Sequence, residues 1–453
     1  MSVLLTEARR TLALAGPIII GQVSQILLGV TDNLMIGQVG KVPLAAAAFA
    51  NSIFGFIYII GIGLLVPVAV LVSRAHGARK EGECGEWMRH GMSLSVAYAA
   101  CATTVMFVLG TQLHRFNQPP EVVAEVRPYF EIIGASLLPV LCFQVLRQFA
   151  ESLGRPWIPM LIMLCTLLLN VVLNWILIYG HLGLPALGLE GAGWATLVAR
   201  IAGLVALWSW LAREPSLRPA WPRGRWLGGF SGARYREMLH IGVPSGISLM
   251  FESGAFAAAA IMMGWISATA LAAHQIALSC ASFAFMFPLG LSMAVSMRLA
   301  RAVGEGRTEA LRPIGFGAQC ISVLIMGTFA LTFTLLGPAI ADGFVDEPDV
   351  IALSARLLIV AAIFQLFDGG QVVGAGALRG LADVKIPTLI TAVAYWGISL
   401  PCGYWLGVHG PFGAIGVWGS LAAGLAFAAI CLLARFTRLT RPTGPALHRA
   451  PGL

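Results

Sequence analysis

The stretch EPSLRPAWPRGRW, Glu214–Trp226, is basic, rich in proline and too polar to span a membrane. The chain on either side of it is different. A bilayer core about 30 Å thick needs ~20 apolar residues per helix. Six such runs precede the stretch, near residues 12–36, 43–72, 90–112, 126–148, 157–180 and 190–212. Six follow it, near 238–265, 270–297, 314–338, 351–374, 385–408 and 413–435. Of the 453 residues 58% are hydrophobic and 11% charged, against about 25% charged in soluble domains. That excludes a soluble enzyme, a nucleic-acid binder or a disordered scaffold. The sequence reads as an integral membrane protein whose first span, behind Glu7, Arg9 and Arg10, is expected to be retained.

The bases set the sidedness. Of 29 Lys and Arg residues, 24 fall in the two terminal segments and the even-numbered loops. Lys41, Arg115, Arg127 and Arg356 lie on the other side, and Arg200 is read as the one base deep in a span. Positive charge collects on the cytoplasmic face, so both termini are expected there and the span count is even. The net charge of +8 therefore needs no nucleic acid. The eight cysteines show no CxxC pairing, so no disulfide framework or zinc site is expected.

The two sets of six spans match each other. Pro17 corresponds to Pro244, Leu44-Ala45-Ala46 to Leu271-Ala272-Ala273, and Gly77 to Gly304, all at an offset of 227. Pro120 and Pro348 match at 228, as do Pro159 and Pro387, and Gly193 matches Gly416 at 223. Because six is even, this is a parallel repeat about an axis along the membrane normal. The expected fold is an all-α membrane protein with twelve transmembrane helices in two six-helix lobes related by a pseudo-two-fold axis. The lobes are expected at 1–212 and 238–435, with a cytoplasmic linker at 213–237 and a tail at 436–453. Two such bundles would enclose a cleft, and symmetry of this kind usually serves alternating access.

Three carboxylates lie inside the spans: Asp32 in GVTDNLMIG, Glu252 in SLMFESGAF and Asp368 in IFQLFDGGQ. Each costs about 2.5–3.5 kcal/mol at a helix centre on insertion scales, and no base lies near any of them in sequence. Gln25 and Val140 stand at the repeat positions of Glu252 and Asp368, so the acids break the symmetry. A buried carboxylate without an ion-pair partner escapes its desolvation cost by taking a proton or by holding a hard cation through oxygen. Either escape is ion coupling. Asn170 and Asn174 share a helix face at i and i+4, where they either line a first-half cavity or hold helices together. Gln275 either lines the substrate cavity with Asn170, Asn174 and Phe283 or is simply an interfacial start of the eighth span. Phe283, within a Phe and Met stripe, either offers a π face to a cation or packs. No G-x-x-x-x-G-K-[ST], H-E-x-x-H or G-x-S-x-G motif occurs, so the energy source is expected to be an ion gradient and no enzyme activity is expected.

Taken together, GVTDNLMIGQVG with LAAAAFANSIF, LAAHQIAL followed by FMFPLGLSMAVSMRLARAVGEG, FDGGQVVGAGALRGLADVKIP and LLLNVVLNWILIYG resemble the multidrug and toxic compound extrusion (MATE) family, NorM-like branch, across residues 8–435. The resemblance implies two lobes in a V shape and efflux of small organic cations in exchange for Na⁺ or H⁺. It implies that Asp32 is the first-lobe acid that exchanges protons or binds drug. It implies that Glu252 and Asp368 hold the coupling cation, and that Asn170 and Asn174 line the first-lobe cavity. With asparagines on the fifth helix in place of an acidic cluster, the second-lobe pair is the better candidate for Na⁺. The protein is expected in the plasma (inner) membrane as a monomer, with no nucleic-acid partner. A flippase for lipid-linked precursors is the alternative, but its pyrophosphate cargo would want several bases, and Arg200 is the single candidate.

Overall fold

The computed structural model describes residues 2–116, 119–222, 226 and 228–441. Arg223 and Arg225 of the linker, and 442–453 of the expected tail, lie outside them. Among the described residues twelve helices are long and apolar enough to cross a membrane. They are α1 (Leu5–Gly37), α2 (Lys41–Gly77), α3 (Glu81–Thr111), α4 (Pro120–Ser152), α5 (Trp157–Tyr179), α6 (Gly188–Arg213), α7 (Gly232–Ile266), α8 (Ala268–Gly304), α9 (Thr308–Asp342), α10 (Pro348–Gly380), α11 (Lys385–Val408) and α12 (Gly413–Leu439). Several start before the apolar run does, because a helix continues beyond the hydrocarbon that its apolar core matches. The linker is shorter than its composition suggests, since α7 begins at Gly232.

Local chemistry sets the interruptions. Pro67 has no N–H to give, so α2 breaks at Val66, whose own N–H donates to Gly63 and Ile62. Beyond the break the backbone of Ala69 is served from α4: its N–H donates to Gln148 Oε1 at 3.2 Å and its carbonyl accepts from Ser152 Oγ at 3.1 Å. In α4 the helix breaks at Ser136, and α5 ends on Gly180 at φ +75°, a left-handed conformation that glycine adopts without cost. Between α7 and α8 the chain turns through Ser267, whose hydroxyl accepts from the Ala270 N–H at 3.0 Å. Ser267→Ala removes that cap and should lower stability by about 1 kcal/mol, read as a lower unfolding midpoint in detergent.

The chain divides into two compact units, 20–246 and 1–19 with 247–453. Their boundary differs from the linker expected to part the lobes. It runs through the middle of α1 and of α7, after Ile19 and after Gly246, positions related by the repeat offset of 227. Each crossing is sealed by a glycine. A Cβ on Gly63 of α2 would meet the Gly246 backbone, with its N at 2.6 Å, and one on Gly290 of α8 would meet Ile19 Cγ1 at 2.6 Å. Gly63 and Gly290 are themselves 227 apart. Small residues let helices approach where lipid offers no hydrophobic contrast to drive them together. The core of the 20–246 unit gathers Ala46, Met106, Phe130 and Ile133, and that of the other Ala277, Leu357, Phe364 and Trp418.

Candidate functional site

Within the 20–246 unit, Asp32 of α1 is 8% exposed and meets α5 and α6. Asn174 Nδ2 donates to its Oδ1 at 2.5 Å and Thr196 Oγ1 to its Oδ2 at 3.3 Å. Asn174 Nδ2 also donates to Asn170 Oδ1 at 3.1 Å, and Asn170 Nδ2 to Thr196 Oγ1 at 3.3 Å. The asparagines therefore sit beside Asp32 in one buried network, and both are fully buried. Asn174 Oδ1 is buried without a hydrogen-bond partner among the described residues, so the network holds an oxygen acceptor that none of their donors fills. Thr196 was not anticipated, because nothing local distinguishes it from other threonines in apolar helices.

The same unit contains a cavity of about 170 Å³ lined by Gln25, Tyr58, Phe143, Met163, Thr166 and Arg200 among others. Neither asparagine lies on that wall. Arg200 donates to Ser136 Oγ at the α4 break and stands 4.8 Å from the centre of the Phe54 ring. It is not the one deep base after all. Arg147, one of the 24 bases counted to the cytoplasmic side, is 1% exposed inside α4 and paired with Glu151 at 3.3 Å. Hydropathy misplaces it because the pair sits one turn from the end of the apolar run.

In the other unit the charge of Glu252 of α7 acts on Asp368 of α10, and both act on the Tyr395 phenol of α11. Asp368 is 2% exposed and Tyr395 is fully buried, with an Oη that has no hydrogen-bond partner among the described residues. Tyr395 lies in a π-helical segment, Val393–Ser399; such wide turns re-aim side chains and recur at functional sites. Trp396 of that segment donates to the Phe251 carbonyl at 3.1 Å, fixing α11 beside Glu252. Next to Asp368, Gly369 admits α9, since a Cβ there would meet Ser322 Oγ at 2.6 Å. Arg379, another of the 24 bases counted to the cytoplasmic side, acts electrostatically on Glu252 from α10. The repeat carried a signal for it: position 379 corresponds to Glu151, the other buried charge of that layer.

Gln275 is exposed, and its carbonyl accepts from Ser279. Phe283 is 41% exposed and packs edge-on against Phe287 and Phe329. Neither joins the acidic cluster through a hydrogen bond or ring contact among the described residues.

The MatE family model matches the chain twice, over residues 17–176 and 244–405. The chain belongs to the MatE family. The double match has the spacing of the internal repeat, and MatE proteins are membrane transporters rather than enzymes. The chain is similar to the multidrug resistance protein NorM of Burkholderia vietnamiensis, 37% identical over 94% of this chain and 93% of that one. It is likewise 37% identical to the probable multidrug resistance protein NorM of Pseudomonas putida, over 97% and 96% of the two chains. Among solved structures, a mutant of the Vibrio cholerae MATE transporter VcmN superposes with a TM-score of 0.91 at 21% identity, over 99% of this chain and all of that one. That likeness concerns the MatE fold: an all-α, multi-pass membrane protein of twelve spans in two repeats.

Proposed function

We propose that this chain is a secondary multidrug antiporter that expels small organic cations across the plasma membrane in exchange for Na⁺ or H⁺ by alternating access, with both termini in the cytoplasm. One observation carries the reading. Three carboxylates inside the spans, Asp32 in one unit and Glu252 and Asp368 in the other, make no ion pair among the described residues. In a dry helix bundle such groups take a proton or a cation. The NorM names of the relatives support the cargo class.

The paired acids with the Tyr395 oxygen suit a hard cation, which oxygen ligands hold best. Arg379 tempers the negative charge, so that the site releases its ion as readily as it binds it. Asp32, held by the neutral donors Asn174 and Thr196, is the second point where an ion and a cargo compete. Moving one positive charge outward against 100 mV costs about 2.3 kcal/mol; inward flow of one Na⁺ or H⁺ offsets that term, and its gradient drives the rest.

The test is efflux of a fluorescent organic cation from proteoliposomes under an imposed Na⁺ or pH gradient. Asp368→Asn should reduce Na⁺-driven efflux by about tenfold or more, within the range of coupling free energies between sites. Efflux that follows pH alone and survives Asp368→Asn but not Asp32→Asn would move the coupling site to the first unit. Absence of cation efflux under both gradients would defeat the proposal.

A further inference from the structure

The linker after α6 has a structure of its own. Between 213 and 236 the sequence holds six arginines, no lysine and one acid, Glu214. A slack tether would leave such residues loose in water. Here the linker is packed onto the 20–246 unit at both ends. Leu217 and Ala220 are buried, and a Cβ on Gly85 of α3 would meet the Ala220 carbonyl oxygen at 2.7 Å, so the chain lies directly on the front of that helix. Farther along, Arg89 Nη1 donates to the Gly228 carbonyl at 2.7 Å and His90 Nε2 accepts the Ser231 N–H at 3.0 Å. Arg234 closes the segment by pairing with Glu86 at 2.8 Å.

What this element presents outward is aromatic and basic. Trp208 of α6 gathers Trp221 and Trp226, whose ring centres lie 5.6 and 4.7 Å from its own, and all three stay partly exposed. Trp208 precedes Arg213, the last residue of α6, by five positions, or ~8 Å along the helix. Indole rings collect at that headgroup level. The tight turn that follows, Pro215–Leu217, is flanked by Arg213 and Arg218. Arg155, between α4 and α5, reaches the same turn by donating to Ser216 Oγ at 3.2 Å. These three arginines are exposed and make no ion pair among the described residues, whereas Arg89 and Arg234 share Glu86. The acid at hand, Glu214, accepts from Ser216 Oγ at 2.7 Å. Guanidinium forks grip phosphate oxygens in pairs of hydrogen bonds. A free anion would have no use for the rings, and an acyl chain alone none for the forks.

We infer that the face formed by Trp208, Trp221, Trp226, Arg155, Arg213 and Arg218 seats the headgroup of an anionic phospholipid, with the arginines on the phosphate and the rings beside the upper chain. The linker is then a lipid-reading part of the membrane surface and not a spacer between repeats. Which leaflet supplies the lipid rests on the cytoplasmic placement proposed above; the binding does not.

The test is native mass spectrometry of the purified full-length protein, released from micelles that hold dioleoylphosphatidylglycerol and dioleoylphosphatidylcholine in equal amounts. Micelles have no sides, so the outcome is independent of topology and of antiport. The choline lipid carries the same phosphate but adds an ammonium that the arginines repel, so the unaltered protein should retain the glycerol lipid about tenfold or more in preference. Each base near an anionic surface is worth about fivefold, so Arg213→Gln combined with Arg218→Gln should lose about tenfold or more of that preference. Arg213→Lys with Arg218→Lys, which keeps the charge and loses the fork, should retain part of it. Arg9→Gln with Arg438→Gln removes two exposed arginines elsewhere and should leave the preference within about twofold. No preference in the unaltered protein, an unchanged preference in the first glutamine pair, or an equal loss in the second would each overturn the assignment. Displacement of the lipid by millimolar inorganic phosphate would overturn it in favour of a small-anion site. Dimers that fall apart in the first glutamine pair would overturn it in favour of an interface between copies.

Discussion

Arg147→Ala should cost about 3–5 kcal/mol of stability, because it strands a buried carboxylate. Arg147 is 1% and Glu151 3% exposed, and Arg147 Nη2 donates to Gln22 Oε1 at 2.8 Å, so the pair ties α4 to α1 as well as to itself. Glu151 Oε2 accepts no hydrogen bond, which leaves the arginine as the main compensation for that charge. Thermal unfolding in detergent should show a much lower midpoint for Arg147→Ala than for Arg127→Ala, whose salt bridge to Glu131 is exposed. The double change Arg147→Met with Glu151→Leu should recover most of the loss, since apolar residues of similar volume often replace a buried pair without cost. A single variant as stable as the unaltered protein would show that Glu151 is neutral or hydrated.

Gly63→Ala and Gly290→Ala should each disrupt their unit, and to a similar degree. The added methyl would press on the backbone of Gly246 in one case and on Ile19 in the other. Overpacking of this kind costs about 1–3 kcal/mol and sometimes more, and in both cases backbone stands in the way, the Gly246 N at 2.6 Å and the Ile19 N at 3.0 Å behind its side chain. Size-exclusion profiles and unfolding midpoints should both deteriorate. Gly55→Ala and Gly327→Ala, at positions with open space around the new Cβ, should leave both unchanged. If the first pair behaves like the second, the helix crossings are looser than their geometry.

The twelve spans and the repeat were legible in the sequence because hydropathy and length are properties of one helix at a time. The three buried acids were legible for the same reason: a charge in an apolar run stands out wherever the helix goes. What joins helices was not. Tyr395 and Arg379 reach the acids through a π segment and through three turns of α10, and neither leaves a mark on local composition. Arg147 looked like a loop base because hydropathy cannot tell a charge that leaves the bilayer from one that is paired within the bundle. Asn170 and Asn174 were placed on a common face correctly, but only the folded chain brings them to Asp32. The division of α1 and α7 between units was invisible, since a boundary inside a continuous helix changes neither its length nor its hydropathy.

That division has a consequence for how the molecule is made. Synthesis runs from the N-terminus, so the nineteen residues that open the chain are exported into the bilayer long before their partners, 247–453, exist. They must wait beside lipid while the ribosome completes the middle unit. The middle unit, in turn, is finished only when the front of α7, through Gly246, follows the linker. A gene cut at the linker would yield two fragments that each keep a piece of the other's unit.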